Sequence, residues 1–179
     1  MEYFVFTIEE CEKTFGVDKS LSRPKQISLL AKQKLLSILK EKGLSFDTTI
    51  AVGKKGKPYF INFPHLHFSI SHSSTHIALA LDDKEIGIDI ENLRTCNLNL
   101  AKRYFHQEEY EYLLSIEEDK RNEAFTKIWT QKEAFVKCTG EGIANNFKTF
   151  SVIEKSKFFD SKYTLYYNKE HYLSICTIE

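Results

Sequence analysis

Apolar and polar residues alternate with period two over three closely spaced stretches, about residues 66–71, 76–81 and 85–91, which predicts short strands. "HSST" and "DDKE" read as hairpin connections between them. An earlier strand is expected over 3–8, and "TTIAVGKKGKPYF" suggests two short strands around a Lys/Gly turn. "RPKQISLLAKQKLLSILKEKG" has helical periodicity instead. Ile27, Leu30, Ala31, Leu35, Ile38 and Leu39 form its stripe, with Pro24 in the first turn and Gly43 at the stop. Residues 98 to about 138 read as helical, and 148–178 hold β-rich stretches in "FKTFSVIE", "KYTLYYN" and "HYLSICTI". The pattern predicts a mixed α+β protein, with a boundary near 93–96 dividing residues 1–94 from 95–179.

"EIGIDIENLR", residues 85–94, carries Ile86, Ile88 and Ile90 on one strand face, so Gly87, Asp89 and Glu91 share the other. A hairpin of 76–81 with 85–91 around residues 82–84 would set Leu81 near Ile86 and Glu91 near His76. The preceding hairpin sets Ser71 and His72 beside His76. Ser71, His72, Asp89 and Glu91 then reach one end of the meander, within about 10 Å of each other at ordinary strand spacing. A hydroxyl, an imidazole and two carboxylates together suit a site for both a metal and an anion. A solvated strand face accounts equally well for the two acids alone. His65 and His67 alternate on a strand without an evident third ligand and read as structural.

A second acidic element is "FTKIWTQKEAFVKCTGEG", residues 125–142, a helix expected to end near Gly140 with Phe125, Ile128, Trp129, Phe135 and Val136 as its buried stripe. Glu133 and Lys137 lie four apart, the spacing of an ordinary surface ion pair. In a chemical reading, Asp89, Glu91 and Glu133 supply oxygen ligands to a hard cation such as Mg²⁺, and Lys137 neutralises a phosphate beside it. Lys132 falls in the middle of the apolar stripe. Either its amine snorkels to water, or it pairs with a carboxylate or phosphate at the site, and its place beside Glu133 favours the second.

Composition narrows the classes. With 25 basic and 25 acidic residues among 179, no bulk field favours nucleic acid or an anionic membrane. Cys11, Cys96, Cys138 and Cys176 lie far apart without metal spacing, which suits reduced thiols and a cytoplasmic location. "MEYFVFTIEE" reads as a first strand rather than a signal peptide, and no apolar run has membrane-spanning length.

In order and spacing, "GKPYF", "FSISHSSTHIALAL", "GIDIE" and "WTQKEAFVK" resemble the motifs of 4′-phosphopantetheinyl transferases of the surfactin-synthetase-activating type, over about residues 56–142. The short holo-acyl-carrier-protein synthases, which assemble as trimers, keep their Gly-Ile-Asp strand near the N-terminus. The resemblance here is to the tandem form, and it implies a monomer of two similar α/β halves related by a pseudo-twofold. It implies coenzyme A as co-substrate and a serine of an acyl, peptidyl or polyketide carrier protein as acceptor. It further implies Mg²⁺, with Mn²⁺ as a substitute, held by Asp89, Glu91 and Glu133. Glu133 is the implied base, Lys137 meets the pyrophosphate, and Lys57, Ser71 and His72 contact coenzyme A.

One position departs from the family. An arginine commonly precedes the Leu-Leu of the first helix, whereas Ile27 stands before "SLLAK" here, with Arg23, Lys25, Lys13 and Lys19 nearby. No N-terminal residue is therefore assigned to the 3′-phosphate. Lys102, Arg103 and Tyr104 in "LAKRYF" offer a basic and aromatic surface for an acidic carrier, or simply a solvated helix. Two other functional classes use the same residues: a metal-dependent phosphohydrolase, and a carrier-binding scaffold without turnover.

Overall fold

Thr7 ends strand β1 (Glu2–Thr7) and caps helix α1 (Ile8–Phe15). Its hydroxyl accepts from the Glu10 amide, while the Glu10 carboxylate accepts from the Thr7 amide at 2.8 Å, a capping box. The strand expected over 3–8 thus stops one residue early, and the Thr-x-x-Glu signal for α1 lies inside it. Helix α2 (Arg23–Glu41) begins with Pro24 in its first turn and buries the six predicted stripe residues. Gly43 follows with φ +76°, a left-handed conformation that favours glycine.

The computed structural model describes residues 1–44, 49–141 and 147–178. Strands β2 (Ile50–Val52) and β3 (Pro58–Phe60) pair antiparallel, as the Lys/Gly turn predicts. Strands β4 (His67–His72) and β5 (His76–Asp82) form the expected hairpin, and β1 adds on the far side of β5, giving the order β1-β5-β4. One cluster joins α1 and α2 to this sheet through Leu35, Leu39, Ile77 and Leu79.

Strand β6 (Ile86–Ile90) departs from the predicted meander. It does not pair with β5. Its partner is β8 (Leu173–Ile178), which also pairs with β7 (Tyr163–Asn168), so the third sheet runs β6-β8-β7. The reason is burial: all five β6 residues are inaccessible, including Gly87 and Asp89. Its isoleucines pack against Ala78 and Ala80 of β5 together with Leu173 and Ile175 of β8. The small alanines let the β6-β8-β7 sheet lie close on the β1-β5-β4 sheet, where an edge-to-edge hairpin would have left one face of β6 in water.

Helices α3 (Leu98–Tyr104), α4 (Gln107–Ser115) and α5 (Glu118–Thr139) occupy the predicted helical region. Gly140 ends α5 in a left-handed conformation, φ +67°. Gly142, at the end of the quoted motif, lies outside the described residues. "FKTFSVIE" is not a strand. Its Phe147, Phe150 and Val152 are buried as a strand's would be. However, the Phe150 carbonyl and the Val152 amide bond to the side chains of Lys132 and Glu109, which withdraws them from any ladder. The expected mixture of helices and small sheets is present, with five helices and eight strands among the described residues.

Candidate active site

Gly87 brings α5 onto β6. A Cβ at this position would lie 2.0 Å from the Ala134 carbonyl oxygen and 2.4 Å from the Cys138 amide nitrogen, so only a hydrogen fits beneath the helix. One turn of α5 thereby lies over the strand that carries Asp89.

Lys137 donates from Nζ to Asp89 Oδ1 at 2.7 Å, to Ser71 Oγ at 3.0 Å and to the Ile88 carbonyl at 3.1 Å. Ser71 in turn donates to Asp89 Oδ1 at 2.7 Å and accepts from the Ile90 amide at 3.3 Å. Its neighbour on the same face of β4, Ser69, accepts from the Ile88 amide at 3.0 Å. These two hydroxyls satisfy amides on the free edge of β6 and join the two sheets through side chains. The convergence of Ser71 with Asp89 is as predicted, although the route is sheet-on-sheet packing rather than a meander.

Glu91 accepts from Arg94 Nη1 at 2.9 Å, and the guanidinium lies 4.2 Å from the centre of the Trp129 ring. Burial raises the Glu91 carboxyl, and the Asp89 charge adds to the rise while Arg94 opposes it. Glu133 is buried and pushed up to about 7. Burial is the largest cause, and repulsion from Asp89 and Glu91 outweighs the attraction of Lys137 and Arg94. Three acids therefore share a region that two cations only partly neutralise. His72, at the exposed end of β4, is held below the ordinary imidazole value by desolvation and then by the Lys137 charge.

Lys57, just before β3, reaches the C-terminal end of α5. Its amine donates to the Cys138 carbonyl at 2.7 Å and pairs with Glu85. Beside it opens a cavity of about 330 Å³ whose walls include Lys55, Lys57, Ser69, Val136 and Lys137, with no carboxylate among the described residues of the lining.

The donor set fits a hard dication chemically. Among the described residues Asp89 Oδ2 is buried with no hydrogen-bond partner, and burial, then the charge of Asp89, raises Glu133. Among the described residues no group of three or more His, Cys, Asp or Glu stands in metal-holding geometry; Asp89 pairs with Lys137 and Glu91 with Arg94.

Lys132 neither snorkels nor joins this site. Its amine is fully buried and pairs with Glu109 of α4 at 2.8 Å. A carboxylate partner was the right chemistry in the wrong place, because the stripe of α5 faces α4 and residues 147–152. Lys102, Arg103 and Tyr104 are exposed on α3, the Arg103 guanidinium 5.2 Å from the Tyr104 ring centre. Ile27 is buried, and Arg23 pairs with Glu12. Ser69, Glu85 and Arg94 escape sequence reasoning. The one available signal is Ser69, which shares the period-two face of Ser71.

Strand β6 carries Asp89, Glu91 follows it directly, and α5 above carries Glu133 and Lys137. Residues 85–178, more than half of the chain, match the family model of the 4′-phosphopantetheinyl transferase superfamily, and the chain belongs to it. Among individual relatives, a 4′-phosphopantetheinyl transferase of Bacillus subtilis is 40% identical over 110 residues, covering 62% of this chain and 47% of the relative. The 4′-phosphopantetheinyl transferase psf-1 of Bacillus pumilus is 40% identical over 96 residues, 54% of this chain and 41% of the relative. HetI, a 4′-phosphopantetheinyl transferase of a Nostoc species, is 45% identical over 82 residues, 44% and 35% of the two chains. The chain thus spans about half the length, or less, of the curated relatives it matches.

Proposed function

We propose that this chain transfers the 4′-phosphopantetheinyl group of coenzyme A to a serine of an apo acyl, peptidyl or polyketide carrier protein. It acts with Mg²⁺ (or Mn²⁺), as a cytoplasmic monomer whose segments 1–94 and 95–179 are the two pseudo-twofold halves. The observation that carries this reading is the juxtaposition of a carboxylate cluster with a cavity walled by Lys55, Lys57 and Lys137. Acids for a cation and lysines for a polyanion, side by side, are what a pyrophosphate-cleaving transfer requires.

In this reading the acceptor serine oxygen attacks the β-phosphorus of coenzyme A. The bond from that phosphorus to the bridging oxygen breaks, and 3′,5′-ADP departs. Glu133 accepts the serine proton, a task suited to a carboxylate poised near neutrality. Lys137 faces the pyrophosphate charge, and Lys57, Ser71 and His72 hold the rest of the nucleotide. Asp89, Glu91 and Glu133 would hold the dication, which supplies further stabilisation of the charge developing on the phosphate oxygens.

The test is intact mass measurement of several apo carriers after incubation with the protein, coenzyme A and Mg²⁺. A phosphopantetheine adduct is expected. Asp89→Ala should abolish it while the circular dichroism spectrum is retained. Nucleotide breakdown without carrier modification would identify a phosphohydrolase, and no change in either would leave a binding protein.

A further inference from the structure

We propose that Glu85 is an internal competitor for the phosphate that Lys57 meets, and that it sets how tightly the chain holds coenzyme A. The inference rests on the transferase reading above. Lys57 is fixed independently of Glu85: its amine also bonds the Cys138 carbonyl at 2.7 Å, and its stem lies against Gly140, where an added Cβ would come within 3.2 Å of Cδ. The stem of the lysine therefore stays in place when the acid partner of its amine changes.

Two cavities share Lys57, Pro58 and Phe68 in their walls. One, of about 350 Å³, also contains Glu85 and His67. The other is the lysine-lined cavity, to which Glu85 contributes nothing. The ion pair thus directs the Lys57 ammonium toward the first cavity, while an anion in the second would draw it toward Lys55 and Lys137. Glu85 itself is lightly held. Its side chain is 48% exposed, and the other side-chain nitrogen beside it is His67 Nδ1 at 3.4 Å. Water can replace Lys57 around this carboxylate at small cost, so exchange of Glu85 for phosphate is accessible. Each ligand that binds must nevertheless overcome the pair.

Removing the competitor should therefore strengthen binding. By calorimetry, Glu85→Gln is expected to lower the Kd for coenzyme A about three- to fivefold, the upper range of a partly exposed ion pair, with an unchanged melting temperature. Glu85→Ala should behave alike. In a Lys57→Met background the same substitution should change the Kd less than about twofold, because the competition has lost its object. A gain that persists without Lys57 would make Glu85 a general repulsive charge and overturn the proposal. Weaker binding by Glu85→Gln would make it a positioning group and overturn it equally. Inorganic pyrophosphate, titrated in parallel, separates this inference from the transferase reading. Tightening toward pyrophosphate with no coenzyme A binding by any variant would retain the competition and reject the transferase. Absence of binding to either probe would reject both.

Discussion

Lys132 and Glu109 form an ion pair from which water is wholly excluded: Nζ meets Oε1 at 2.8 Å, and both side chains are 0% exposed. The ammonium also donates to the Phe150 carbonyl at 2.7 Å and lies 4.0 Å from the Phe150 ring centre. Glu109 accepts from the Val152 amide at 2.8 Å and the His106 amide at 2.9 Å. One pair thereby fastens α4, α5 and residues 147–152. Burial lowers Lys132 to about 8 and raises Glu109, each opposed by the attraction of its partner.

Lys132→Met should therefore cost about 3–5 kcal/mol of stability in urea unfolding, since it strands a buried carboxylate. Lys132→Met combined with Glu109→Gln should recover most of that loss, because Gln keeps an acceptor for the Val152 amide without the charge. Equal stability of the two variants would contradict a buried-charge penalty.

Gly87→Ala should be disproportionately damaging for one methyl group. The clash falls on the α5 backbone, at Ala134 and Cys138, which has no rotamer with which to yield. A loss of about 2 kcal/mol or more is expected by chemical unfolding. Carrier modification should fall over a hundredfold, since displacement of α5 moves Glu133 and Lys137 together. Parental activity in this variant would mean that the close approach is dispensable.

The metal-free protein should lose stability as pH rises. Native Glu133 keeps its proton up to about 7, against a reference value of 4.5 for the unfolded chain. Below about pH 4.5 both states are protonated. Above it the native state binds the extra proton, so stability falls until about pH 7, by about 3 kcal/mol from this group. In the presence of EDTA, urea unfolding of Glu133→Gln should show a shallower decline between pH 5 and 8 than the parent. Some slope should remain, because Glu91 is raised as well. Identical slopes would place the titration elsewhere.

Charge reversal of Lys102 and Arg103 should raise the KM for an acidic carrier by about tenfold and leave that for coenzyme A unchanged. Exposed interface charges act mainly on encounter with the partner, and both residues are exposed on α3. An unaltered carrier KM would move docking to another face.

What was legible in the sequence is what depends on neighbours along the chain. The α2 stripe from Ile27 to Leu39, the stop at Gly43, the β4–β5 hairpin and the helical spacing of Glu133 and Lys137 follow from local periodicity and turn chemistry, which residue types encode directly. Ser71 and Asp89 could be brought together on paper because each sits at a definite register on a short strand.

Tertiary structure alone decided which buried faces meet. The isoleucines of β6 were equally compatible with a hairpin to β5 and with packing across Ala78 and Ala80. Its pairing with β8 required a strand more than 80 residues later. Lys132 reads as an apolar-stripe anomaly until Glu109 arrives from another helix, and nothing in the sequence around Lys57 shows that Glu85 and the Cys138 carbonyl bind its amine. A charge in an amphipathic pattern states that it must be satisfied. Its partner is chosen by the three-dimensional packing that removes both from water.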